Sequence, residues 1–129
     1  MIVLDASAAL DWLLQTPAGQ EIDRRLASGE SLHAPHLLDL EVAQVLRRLV
    51  RERSVTARRA DEALDDLLDL RIARYPHDVL LPRIWQLRHN LSAYDAAYVV
   101  LAETLDAPLI TRDRRLAESA GHRVKVEVF

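Results

Sequence analysis

The chain has 129 residues, half of them hydrophobic and 29% charged, with a formal net charge of −3 and no cysteine. That length suits one compact domain over residues 1–129, and the missing thiols exclude disulfides, thiolate metal centres and cysteine nucleophiles, so that any metal must be held by oxygen or histidine. The acidic balance argues against a broad electrostatic grip on nucleic acid; no apolar run approaches the about 20 residues of a membrane span, and no basic segment precedes Ile2-Val3-Leu4 to suggest a signal peptide, so a cytoplasmic protein with no membrane partner is expected.

Ile2-Val3-Leu4 is a short apolar run closed by Asp5 and reads as a buried strand. Residues 6–14 suit a helix, and Pro17 opens another that Ser28-Gly29 stops. Leu32-His33-Ala34 reads as a second strand, closed by Pro35. Residues 37–52 form the clearest amphipathic helix, with Leu38, Val42, Val45 and Leu49 on one stripe and Arg47, Arg48 and Arg51 elsewhere. Thr56 can cap the next helix, whose apolar side carries Ala60, Leu64, Leu67 and Leu68. Ile72-Ala73-Arg74-Tyr75 reads as a third strand ended by Pro76. A helix over 78–88 follows, with Pro82 tolerable only near its first turn. After the break at Asn90-Leu91-Ser92, residues 93–105 make a nearly all-apolar helix, which implies burial on most sides. Pro108-Leu109-Ile110-Thr111 is a fourth strand, 114–119 a short helix, and Val124–Val128 an alternating edge strand. Strands alternating with helices predict a parallel α/β sheet.

Four carboxylates stand at unusual places in this pattern. Asp5 and Asp113 each follow the carboxyl end of a strand, where open α/β sheets bind ligands if the two strands are neighbours; each can equally cap the helix that follows. Glu41 lies on the apolar stripe of its helix, where an unpartnered charge is costly, unless the stripe edge admits it beside an arginine. Asp95 stands three residues after Ser92, which matches a capping box and leaves the carboxylate free to point outward as well. Carboxylates that converge repel and raise one another's pKa. A bound Mg²⁺ or Mn²⁺ relieves that repulsion, suits oxygen ligands, and can activate water against a phosphodiester.

In order along the chain, Ile2-Val3-Leu4-Asp5-Ala6-Ser7-Ala8, Leu40-Glu41-Val42 with Val45-Leu46, Ser92-Ala93-Tyr94-Asp95-Ala96-Ala97-Tyr98, and Leu109-Ile110-Thr111-Arg112-Asp113 with Leu116-Ala117 resemble the acidic motifs of PIN-domain ribonucleases. The ordered set spans nearly the whole chain, and the compact length resembles the VapC toxins of VapBC toxin–antitoxin pairs in particular. The resemblance implies a five-stranded parallel sheet in order 3-2-1-4-5 with helices on its faces. It implies Mg²⁺- or Mn²⁺-dependent cleavage of single-stranded or loop RNA, with Asp5, Glu41, Asp95 and Asp113 as the catalytic, metal-holding acids and Ser7 and Thr111 as supporting hydroxyls. It also implies a VapB-type antitoxin as partner and a homodimer within a larger toxin–antitoxin complex. Arg112 and Arg114 are candidates to steady RNA phosphates nearby, since arginine suits planar phosphate contacts. In one respect the chain departs from the pattern: some PIN domains carry a further acid two residues past the fourth, and here that residue is Arg115, which puts a second metal position in doubt.

Other readings fit less well. A haloacid-dehalogenase phosphatase needs a second aspartate two residues after the first, and Ser7 stands there. A receiver domain needs an aspartate after its third strand, where Arg74-Tyr75-Pro76 has none. A catalytically silent PIN-fold binding module is the remaining alternative, and the complete acidic set argues against it. The five histidines share no ligand spacing, and only three glycines leave no phosphate-binding loop. Leu10, Trp12, Leu13 and Leu14 crowd apolar surface onto one short helix, so Trp12 is either core or an antitoxin anchor.

Overall fold

Ile2, Val3 and Leu4 have no exposed surface at all, as expected of a strand covered on both faces. In the computed structural model, which describes residues 1–129, they form β1 (Ile2–Leu4) at the centre of a five-stranded sheet. The other strands are β2 (Leu32–Pro35), β3 (Ile72–Tyr75), β4 (Leu109–Thr111) and β5 (Val126–Val128). Their order is β3-β2-β1-β4-β5, and every pairing is parallel. From β1 the chain builds outward through β2 to β3, then crosses back to place β4 on the other flank of β1. The strand order therefore reverses between β1 and β4, where Leu4 pairs with Ile110, and open α/β sheets bind ligands beyond the carboxyl ends at such a point.

The helices are α1 (Ala6–Leu13), α2 (Pro17–Leu26), α3 (Leu37–Arg51), α4 (Ala57–Asp69), α5 (Leu81–Gln86), α6 (Ala93–Leu105) and α7 (Arg114–Glu118). The apolar helix predicted over 93–105 is α6, and every residue from Ala96 to Ala102 is buried against β1, β2, β4 or α5. The crowded apolar residues of α1 find more cover than one helix on a sheet provides. α1 packs on α2, α3 and α4 as well as β4, which buries Leu10 and Leu13. Gly19 makes the α1–α2 approach feasible, because a Cβ there would stand 1.9 Å from the Asp11 carbonyl oxygen. No helix is long and apolar enough to cross a membrane.

Several elements differ from their sequence expectation. The helix expected over 78–88 is only Leu81–Gln86, because Pro82 fixes its first turn and the Leu87 amide closes it on the Arg83 and Ile84 carbonyls. Of its apolar residues, Ile84 and Leu87 are buried while Leu81 and Trp85 are exposed. On α3 the buried line is Leu38, Val42 and Leu46, with Val45 and Leu49 at its edge. On α4 the buried line is Ala60, Ala63 and Leu67, which turns Leu68 out to solvent. The last strand covers Val126–Val128 rather than the whole alternating run from Val124.

Candidate active site

Asp5 leaves β1 in extended conformation and caps α1, accepting from the Ala8 amide at 3.0 Å. The same carboxylate accepts from Ser7 Oγ at 2.7 Å and, on its other oxygen, from the Thr111 hydroxyl at the end of β4. Thr111 and Ser7 in turn accept the backbone amides of Asp113, at 2.9 Å, and Arg112, at 2.9 Å. The two hydroxyls thus stitch the β1 exit to the β4 exit and hold the Asp5 carboxylate rigidly between them. Cap and crevice carboxylate are one residue here, so the two readings of Asp5 do not compete. Burial pushes its pKa up despite these three donors, and the charge of Asp95 pushes the same way.

Glu41 is half-buried at the edge of the α3 stripe. Its partner is Tyr98, on α6, which donates to Oε1 at 2.5 Å. Its pKa is raised by burial first, and then by the charges of Asp5 and Asp95, against the lowering effect of the Tyr98 bond. Asp95 lies in the first turn of α6, where its amide donates to the capping Ser92 Oγ at 3.1 Å. Its own carboxylate accepts no hydrogen bond from the protein, so the reciprocal half of the capping box is not made and both oxygens are open. Asp5, Glu41 and Asp95, from three different elements, therefore share one electrostatic neighbourhood.

Asp113 behaves differently. It caps α7 by accepting from the Arg115 amide at 3.0 Å, and both its oxygens take the Arg115 guanidinium, Nε at 3.0 Å and Nη2 at 2.6 Å. That pairing holds its pKa below the usual carboxylate range. Of the two arginines singled out in the sequence, Arg112 is exposed but engaged within the chain: its Nε donates to Asp11 Oδ2 and its Nη1 to the Phe129 carbonyl. Arg114 is exposed and forms no ion pair.

Two contributors escaped the sequence reading. Tyr98 is buried with its hydroxyl on Glu41, and burial and that bond both push its own pKa far up. A tyrosine inside an otherwise apolar helix is the available signal, since a buried phenol needs a polar partner. Arg115 is the other, read only as a missing acid. Three of the histidines are structural: His33 is sandwiched between Ser31 and Tyr75, His77 accepts the Leu37 amide, and His122 meets Ser119 and the Val124 amide.

As the side chains stand, no three carboxylates or histidines lie close enough together to ligate one ion. The donor chemistry nonetheless suits a hard divalent cation. Mg²⁺ keeps much of its water shell and binds through one or two carboxylates rather than a closed protein cage, and Asp95 offers open oxygens beside two acids whose charges it opposes.

The chain matches the PIN domain family over residues 2–121. Ribonuclease VapC9 of Mycobacterium tuberculosis is 46% identical over 128 residues, which is 99% of this chain and 98% of that protein. Ribonuclease VapC12 of the same organism is 43% identical over the same shares. The crystal structure of PAE2754 from Pyrobaculum aerophilum superposes with a TM-score of 0.70 at 26% identity, covering 97% of this chain and 81% of that one.

Proposed function

The chain belongs to the PIN-domain family and is a toxin endoribonuclease of the VapC kind, and from that premise we propose that it cleaves single-stranded or loop RNA in the cytoplasm with the aid of Mg²⁺ or Mn²⁺. The observation that carries the proposal is that Asp5 and Glu41, on elements at the carboxyl ends of β1 and β2, are both raised in pKa by burial first and then by the charge of Asp95, and Glu41 also by the charge of Asp5. Asp5, Glu41 and Asp95 are the residues that would hold the cation. Asp113, the fourth acid of the family pattern, joins them only by releasing Arg115. When bound, the cation supplies compensation for the clustered negative charge, activation of water and stabilisation of charge on the phosphodiester.

The protein's own groups perform the positioning. Ser7 and Thr111 fix the Asp5 carboxylate, and Tyr98 fixes Glu41. Glu41, with its raised pKa, is the acid best suited to take a proton from the attacking water. A silent binding module is not favoured, because it has no use for a buried and a half-buried carboxylate held against their own repulsion.

A VapB-type antitoxin as partner belongs to the same reading, as does self-association. Val79, Leu81 and Trp85 leave an exposed apolar face at α5, and Leu40 and Tyr94 border an open groove beside Glu41; such surface suits burial against other chains.

Calorimetric titration with Mn²⁺ and Mg²⁺ tests the metal assignment, alongside cleavage of a labelled RNA in the same ions and in EDTA. Binding should weaken sharply in Asp5→Asn and Asp95→Asn, and EDTA should stop cleavage. Equal affinity in wild type and both variants overturns the assignment.

A further inference from the structure

Arg115 stands where an additional acid would enlarge a metal site, and its side chain turns back on the last of the four acids. Nε and Nη2 form a fork on the two oxygens of Asp113, while the backbone amide of Arg115 donates to the same carboxylate. A guanidinium held by one edge is preorganised, so less rotamer entropy is lost when the other edge binds. The other edge is available: Nη1 makes no hydrogen bond within the chain, and the side chain is 82% exposed. It also stands close to Asp5, because the amide of its clamp Asp113 donates to Thr111 Oγ1, which itself donates to the Asp5 carboxylate. An exposed, oriented cation at the lip of an acidic crevice matches what an RNA strand needs in order to approach clustered carboxylates.

We infer that Arg115, clamped by Asp113, is an RNA-binding residue that receives a phosphodiester oxygen of the substrate on its Nη1 edge next to the Asp5–Glu41–Asp95 cluster. The inference rests on the ribonuclease reading and deepens it by naming the group that meets the substrate backbone. It moves the phosphate-binding role away from Arg112, whose guanidinium joins Asp11 to the Phe129 carbonyl. It also gives Asp113 a task distinct from that of the other three acids: it aims Arg115. Bidentate pairing with a carboxylate on one side and phosphate on the other uses the planar fork of arginine in a way that lysine cannot reproduce.

The experiment measures binding of a fluorescein-labelled single-stranded oligoribonucleotide by anisotropy across a salt series. Ca²⁺ replaces Mg²⁺, and the length of the RNA is verified on a denaturing gel after each titration. Neutralising one phosphate on a single strand contributes about 0.7 to the slope of log K against log salt. Arg115→Ala should therefore weaken binding and lower the slope by about 0.7. Arg58→Ala, an exposed α4 arginine paired only with Glu62, should leave the slope in place. Arg115→Lys should recover the slope through its charge but not the affinity, because it lacks the fork. An Arg115→Ala protein with wild-type slope and affinity overturns the inference, and so does one whose only change is tighter Mn²⁺ binding, which would make Arg115 an internal counter-ion. The ribonuclease reading stands or falls separately, on whether the wild type binds Mn²⁺ and cuts RNA.

Discussion

Tyr98 and Glu41 form the contact that joins α6 to α3 at the acidic crevice, a phenol donating to a half-buried carboxylate at 2.5 Å. The bond opposes both influences that raise the Glu41 pKa, its burial and the nearby charges of Asp5 and Asp95. Tyr98→Phe removes that opposition, so the Glu41 pKa should rise further. If Glu41 acts ionised, the acid limb of the pH–rate profile should move to higher pH, with activity reduced by about 10–100-fold, as for other supporting residues around metal-dependent sites. Stability should fall by about 1.5–3 kcal/mol, the range for a lost hydrogen bond to a charged group. A profile superimposable on the wild type would show that Tyr98 does not act through Glu41.

Glu41→Gln separates function from folding. A carboxylate whose folded-state pKa is raised binds its proton more tightly in the folded protein than in the unfolded chain. Stability therefore declines as pH climbs from the ordinary carboxylate value through the raised one, and stays lower above it. Glutamine carries no such penalty and still offers an oxygen to Tyr98. At neutral pH the variant should melt at the same temperature or higher, while cleavage falls by more than the ~100-fold limit of a merely supporting change. The stability difference should close as pH drops below the carboxylate range. A large loss of stability with cleavage intact would identify Glu41 as a structural residue.

Thr111 has no exposed surface and serves two acids, donating to Asp5 and accepting the Asp113 amide. Thr111→Val keeps the shape and β-branching that suit a strand but leaves a buried carboxylate oxygen and an amide without their partner. It should cost about 1–3 kcal/mol in chemical denaturation and weaken Mn²⁺ binding by about 10–100-fold. Unchanged Mn²⁺ affinity in a folded variant would place the cation away from Asp5.

The legibility of these features in the sequence follows from how local their physics is. Strand β1 and helix α6 were readable because burial on several faces writes itself as an unbroken apolar run. The acids at the β1 and β4 exits were readable because a carboxylate closing such a run is conspicuous. The orientation of α4 was not, since Leu67 and Leu68 are chemically alike and packing against α1 and α3 decides which one is buried. The flanks of α5 carry helix-compatible residues and suggest a longer helix, while its true limits lie in a proline turn and a bifurcated amide. The sequence does not show which partners Arg112 and Arg115 take. Their different fates depend on Asp11, brought close by α1, and on Asp113 capping its own helix.

The edge strand gives a prediction of opposite sign. Arg25, in α2, donates from Nε to Glu127 Oε2 at 2.8 Å and from Nη2 to Oε1 at 3.3 Å, pinning β5 to the helix layer. Glu127 is mostly shielded and Arg25 partly so, and the arginine holds the glutamate pKa down. A depressed carboxylate stabilises the fold above its unfolded pKa, and the gain disappears as pH falls through the folded value. Glu127→Gln should therefore cost up to about 1 kcal/mol at neutral pH, the scale of a partly exposed pair, and nothing in strong acid. The amides of Leu109 and Phe129, which bond across the β4–β5 pair, should exchange faster in the variant. A pH-independent deficit would assign the effect to packing instead.

Trp12 is neither fully core nor free. It is half-buried against the hydrophobic core, its indole N–H donates to Asp23 at 2.8 Å, and its ring borders shallow depressions toward α2 on one side and α4 on the other. A large aromatic fixed at its polar tip, with part of its face open, has the character of residues that dominate binding to a docked segment. Trp12→Ala should weaken binding of the proposed VapB-type antitoxin by about 2 kcal/mol or more and leave cleavage by the free toxin largely intact. Trp12→Phe, which preserves the apolar ring but not the bond to Asp23, should retain most of the affinity. An unfolded Trp12→Ala protein would assign the ring to the core, in which case Trp12→Phe still reports on the interface. A folded Trp12→Ala protein with unaltered affinity would eliminate Trp12 as an antitoxin contact and direct attention to the exposed apolar face at Leu81 and Trp85.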